Sequence, residues 1–250
     1  MKPVILVAAS LLALPAAAFA ADPEWTGTGE LGLAVSRGNS HSENLNTKLS
    51  AQGESEQWLH KLGFAAVRAE SEVVGDFDGD GVEDSRDELS ANRYQFNVSS
   101  GYKMNPRTSW VGALRYENDD FAAYRDQTTL SLSFGYNFLD SEQTRLATEF
   151  GPGYRRARPQ DGGDAESDLI FRGLVDYRHA LTGNTSLVNT LLIEAGEDNR
   201  FAQNDLGVAV SMNSSFALKA GVQTRYNSEV EPGTHNTDTL TTVNLVYTMH

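Results

Sequence analysis

The chain has 250 residues, with 34 acidic and 20 basic side chains and a formal net charge of −14. That acidity argues against nucleic acid as a partner and against adsorption to anionic lipid, and it suits a surface that meets cations. There is no cysteine, so no disulfide contributes to stability, and the length fits one barrel or one large sandwich.

The first twenty residues stand apart from the rest. Lys2 gives a basic start, Val4 to Leu14 an apolar run, and Ala18-Phe19-Ala20 a small-x-small cleavage site before Ala21. This is the pattern of a secretory signal peptide, and the apolar run is too short for a spanning helix. We therefore expect Sec-type export, with residues 1–20 as the signal and 21–250 as one domain. After the signal, no apolar run approaches the roughly 20 residues that a membrane helix needs.

From Trp25 onward the chain alternates with a period of two, the mark of half-buried strands. Leu31, Leu33 and Val35 oppose Thr26, Thr28 and Glu30. After a turn at Arg37-Gly38-Asn39-Ser40, Leu45, Thr47 and Leu49 oppose Asn46, Lys48 and Ser50. A third strand is expected over 58–69, then a long acidic loop over 71–88. Tyr94, Phe96, Val98 and Tyr102 share the next apolar face, and Met104-Asn105-Pro106-Arg107 turns the chain into Trp110, Leu114 and Tyr116. Beyond a loop at 118–125, Leu130, Leu132, Phe134, Tyr136 and Phe138 oppose Thr129, Ser131, Ser133 and Gly135. Leu146, Phe150 and Tyr154 oppose Arg145, Glu149 and Arg155. Past a polar loop at 158–167, Leu169, Phe171, Val175 and Tyr177 oppose Arg172, Asp176 and Arg178. A weaker strand at 185–195 and a loop at 196–204 precede Leu206, Val208 and Val210. Then come Phe216, Leu218, Val222 and Tyr226 against Lys219, Gln223 and Arg225, a loop at 227–237, and a last strand over 239–249.

The expectation is an all-β fold of about twelve strands, an antiparallel up-and-down transmembrane β-barrel. Connections near 53, 105, 140, 183 and 213 are short and most of the others longer and polar, as in outer-membrane barrels with short periplasmic turns and longer outer loops. A soluble sandwich would alternate in the same way. Two features favour the barrel: aromatics gather near strand ends, and the polar face carries charges of both signs that a lumen can pair. Arg145, Glu149, Arg155, Arg172, Asp176 and Arg225 are expected to face inward.

Three stretches also carry a likeness: GELGLAVSRGNSHSENLNTKLSAQ, RYENDDFAAYRDQTTLSLSFGYNFLDSEQTRLATEFGPGYR and YNSEVEPGTHNTDTLTTVNLVYTM. With their Gly38-Asn39 turn and Gly151-Pro152-Gly153-Tyr154 motif, they resemble the YdiY-like family of salt-induced outer-membrane proteins. The resemblance implies an outer-membrane β-barrel in a Gram-negative envelope, linked to salt response. The family is one of unknown function, so no catalytic residues carry over. The chain departs from barrel habit at its end, where His250 stands in place of the usual aromatic.

One local motif points to metal. Asp76, Asp78 and Asp80, then Gly81, Val82, Asp84 and Asp87, follow the oxygen-ligand spacing of a calcium loop, with Val82 offering its carbonyl. Asp87 replaces the usual bidentate Glu and the flanks read as strands, so a solvated acidic loop is the alternative. The five histidines show no metal spacing, and His60 or His179 paired with a serine is the remaining route to a lipid hydrolase. The chain is thus expected to be a non-enzymatic envelope barrel, one form of which is a small channel with an ion-paired lumen. The alternative is a protein that captures cations or a partner through acidic outer loops. Its expected partners are outer-membrane lipid and the barrel-assembly machinery, and the oligomeric state is left open.

Overall fold

The computed structural model describes residues 23–37, 42–76, 81, 84–230 and 233–249. Twelve antiparallel strands follow one another as β1 (Glu24–Arg37), β2 (Ser42–Glu54), β3 (Trp58–Gly75), β4 (Asp84–Asn105), β5 (Thr108–Asp119), β6 (Tyr124–Asp140), β7 (Thr144–Pro159), β8 (Glu166–Ala180), β9 (Thr185–Ala195), β10 (Arg200–Ser211), β11 (Phe216–Asn227) and β12 (Thr237–Met249). Each pairs with its neighbours in sequence, and β1 pairs with β12 to close the barrel. Closure satisfies every strand edge, which is what lets a sheet stand in hydrocarbon.

The alternation decides which residues meet lipid. Leu31, Leu45, Phe96, Leu114, Leu132 and Leu245 project outward and remain exposed, as a lipid-facing belt requires. At the turn end, ring pairs tile the belt: Trp58 with Tyr102 at 5.2 Å, Trp110 with Phe134 at 5.7 Å and Phe216 with Tyr247 at 5.1 Å between centroids. At the loop end Tyr94 and Tyr116 lie 6.1 Å apart. The tight turns are set by single side chains. Asn105 Oδ1 accepts from the Arg107 and Thr108 amides, and Asn213 Oδ1 from those of Ser215 and Phe216, all at 2.9 Å. These are local turns that asparagine closes with its own side chain.

Strand ends differ from the sequence expectation on one side only. The acidic stretch at 71–88 is mostly strand: β3 and β4 stay paired from Glu70–Leu89 out to Gly75–Asp84. Likewise β7 runs to Pro159, β8 starts at Glu166, and β10 starts at Arg200, inside segments expected to be loops. The ladder of backbone hydrogen bonds continues past the bilayer, where neither face needs to be apolar. The hydrophobic alternation therefore fades before the strand does.

Two glycines mark close approaches between strands. A Cβ on Gly151 would lie 2.1 Å from the Leu132 carbonyl oxygen, and one on Gly32 would lie 2.3 Å from that of Val243. At each the neighbour's backbone comes so close that only glycine fits, as at barrel corners. The two positions fall on the β6/β7 and β12/β1 seams, six strands apart in the ring of twelve. Next to Gly151 stands Pro152, which has no amide hydrogen, and the β6/β7 register skips Leu132 and Ser133 opposite the pair.

Candidate functional site: a charge-bridged lumen

On β5 the inward side chains are Val111, Arg115, Glu117 and Asp119, all buried. Their partners come from across the lumen. Arg115 grips Glu194 of β9 with two hydrogen bonds, Nη2 to Oε2 at 2.5 Å and Nε to Oε1 at 3.2 Å, and donates from Nη1 to Glu117 at 3.0 Å. Glu117 accepts a second hydrogen bond from Arg225 of β11, which also reaches Asp119 at 3.2 Å. Arg93 of β4 lies 3.7 Å from Asp119 and donates to Gln223 of β11 at 2.9 Å. Gln223 passes the chain on to Asp205 at 2.6 Å. Beside this network lies Phe201 of β10, 1% exposed, with the guanidinium carbons of Arg115 and Arg225 at 4.7 and 5.2 Å from its ring centre.

β5 and β11 are six strands apart in a ring of twelve, so Arg225 bridges opposite walls. Charges taken from water are costly unless each is paired and hydrogen-bonded, and here Glu117, Asp119 and Glu194 each meet at least one guanidinium. The guanidinium fork suits this work because it binds carboxylate in two places at once. The result is a closed girdle. Glu194 is fully buried, and Glu117, Arg225 and Arg115 nearly so.

Above the girdle, Arg93, Asp119, Gln223, Arg225, Asp238 and Leu240 line a cavity of about 60 Å³. That is room for a few waters, far short of the 300 Å³ or more typical of a small-molecule site. Toward the turn end, Glu30 holds Lys219 at 3.0 Å and accepts from Asn244 at 3.0 Å, and Arg172 holds Glu149 at 2.9 Å. Toward the loop end, Arg155 is buried, pairs with Asp168 at 3.0 Å and donates to the Asn199 carbonyl at 2.8 Å.

Of the residues expected inside, Glu149, Arg155, Arg172 and Arg225 are in these pairs. Asp176 shares their face with no ion-pair partner among the described residues. Arg145 departs from the expectation: it pairs with Asp140 at the turn end, and both are more than half exposed, because the strand leaves the bilayer there. Glu194 and Phe201 escaped the sequence reading. Each face of β9 mixes apolar and polar residues, with Val188 and Leu192 beside Ser186, Thr190 and Glu194, so its inward side was hidden, and Phe201 lay in a stretch read as loop. In the calcium motif, Asp76 accepts from the Gly81 amide at 2.9 Å and Gly81 takes φ +84°, while Asp78, Asp80 and Val82 lie outside the described residues. Asp84 and Asp87 belong to the start of β4, opposite Gly75 and Glu72. His179 shares a 2.8 Å hydrogen bond with Thr144 and stacks on Tyr177, and His60 stacks on Trp58.

A closed antiparallel barrel with an apolar outer belt and a charged interior defines an outer-membrane β-barrel. The chain belongs to the family described as "Protein of unknown function, DUF481", whose model matches residues 29–249. It is 26% identical over 166 residues to the uncharacterized protein YdiY of Escherichia coli (strain K12), a match covering 66% of this chain and 65% of that protein. The chain thus spans just under two thirds of its curated relative. Among solved structures, the NanC porin superposes with a TM-score of 0.56 at 8% identity, over 88% of this chain and 98% of that one. The KdgM porin gives 0.47 at 11% identity, over 88% and 99%. At such identities the likeness to NanC is one of fold.

Proposed function

We propose that the protein is a narrow outer-membrane channel held in a low-conducting state by its own charge bridge. The observation that carries this is Arg225 of β11 reaching Glu117 and Asp119 on the opposite wall. Buried pairs of this kind are little screened by salt, so the closure persists when external salt rises. A barrel that stays shut under those conditions is a concrete form of the salt link implied by the family resemblance. The turn end, where β1 begins and β12 ends, faces the periplasm, and the loop end faces outward. Export through the signal at 1–20 and insertion by the barrel-assembly machinery complete the proposal. No step of it requires catalysis.

Planar-bilayer recording tests it. Wild-type protein is expected to show small or rare conductance steps, and Glu117→Ala combined with Arg225→Ala several-fold larger ones. Silence from both proteins at every voltage would end the channel reading.

A second reading rests on the loop at 76–83, where the Asp76 carboxylate already closes on the Gly81 amide as the first ligand of a calcium loop does. In this reading the acidic outer loops capture cations. Calorimetric titration with calcium should then give heat that Asp78→Ala with Asp80→Ala abolishes. An unchanged or absent signal would remove it.

A further inference from the structure

The protein is strongly acidic, yet three arginines gather on the lipid-facing side of one wall of its outer rim. On the loop-end part of β6 and β7, just above Tyr116, Leu130 and Tyr154, stand Arg125, Arg156 and Arg158, all exposed or nearly so. Arg156 is paired in register with Thr128 and Arg158 with Asp126, on the face that carries the lipid belt. Arg125 occupies the irregularity between Tyr124 and Asp126. Neighbouring strand positions lie roughly 5 Å apart and alternate positions along a strand roughly 7 Å, so the three guanidiniums fall within reach of one headgroup.

The nearby carboxylates are already engaged. Asp126 accepts from the Tyr116 hydroxyl and the Asn118 amide, both at 2.9 Å, and lies 3.7 Å from Arg158. Glu166 accepts from the Tyr124 hydroxyl at 3.0 Å, and Asp161 from the Gly163 amide at 2.9 Å. Neither Arg125 nor Arg156 forms a side-chain hydrogen bond or close ion pair among the described residues, although Arg125 acts on Asp126 through space. Beside them Leu169, paired with Tyr154, is 79% exposed, the most of any large apolar side chain described.

We propose that this rim is a docking site for the phosphate groups of a lipid in the outer leaflet. Its chemistry is double. Planar guanidiniums bind phosphate oxygens in pairs, while Leu169, Leu130 and Tyr154 lie below to meet acyl chain. A free anion would gain nothing from the apolar half, so the combination selects a phosphorylated lipid. The patch also runs against the net charge of −14, which would otherwise repel anionic headgroups. The inference rests on the orientation proposed above, with the loop end outward.

The test uses the full folded barrel in nanodiscs of zwitterionic lipid, doped with diphosphoryl lipid A or with the same lipid stripped of phosphate, and counts retained lipid by native mass spectrometry. Wild-type protein should retain the diphosphoryl form. At about 1 kcal/mol per arginine, R125Q/R156Q/R158Q should weaken retention roughly 100-fold, while Arg200→Gln, on a distant strand, should leave it unchanged. Heat-modifiable gel mobility checks that each variant is folded. Equal retention by the triple variant overturns the proposal, and so does equal retention of the stripped lipid. Displacement by inorganic phosphate would show a free-anion site instead. Labelling of Asp161→Cys on intact cells reports orientation separately, so a failed orientation and a failed lipid site give different results.

Discussion

Glu194 and Phe201 show how single side chains pack the lumen. Glu194 is fully buried and gives both carboxylate oxygens to Arg115. Glu194→Gln leaves that guanidinium facing a neutral amide in a water-poor site, and we expect a loss of about 3 kcal/mol in urea unfolding from vesicles. Phe201 has no charge to lose, but its ring fills the space beside two guanidiniums. Phe201→Ala should cost about 3 kcal/mol through the cavity and the lost cation–π contact. Because that variant keeps every ion pair, bilayer recording should find its conductance closer to wild type than that of the Glu117→Ala, Arg225→Ala pair. The inward positions of Arg155, Arg172 and Arg225 were legible from alternation alone. Glu194 was not, because each face of its strand mixes apolar and polar residues.

Strands and seams raise a different question, since a glycine's neighbours are invisible until strands pair. Gly151 sits where a methyl group would strike the Leu132 carbonyl, whereas Gly173 has nothing within 4 Å of the same added atom. Gly151→Ala should therefore strain the β6/β7 corner by about 1–3 kcal/mol or prevent closure. Gly173→Ala should be neutral within about 0.5 kcal/mol. Urea midpoints in vesicles, with heat-modifiable mobility as the folding check, compare the two. A similar loss in both would mean that the corner is not what Gly151 protects. Strand centres and short turns could be read from period and from Asn105, while the loop-side strand ends could not. Their hydrogen-bond ladder persists after the membrane's demand for an apolar face has ended.

The whole molecule is a closed barrel whose interior is crossed by a bridge of charges. Such a structure should keep its compact gel mobility in detergent until boiled and should require detergent for extraction. A protein that stayed soluble without detergent would contradict it. N-terminal sequencing of the exported form should begin at Ala21 if the first twenty residues are removed. By itself the sequence determined the strands, their two faces, the turn end and the balance of charge inside, because period and composition are local properties of the chain. Only the tertiary structure decided which charges meet. Alternation says that Arg225 and Glu117 both point inward, but not at what height or across what distance. Those depend on the closure and stagger of twelve paired strands, which bring residues more than a hundred positions apart into one hydrogen bond.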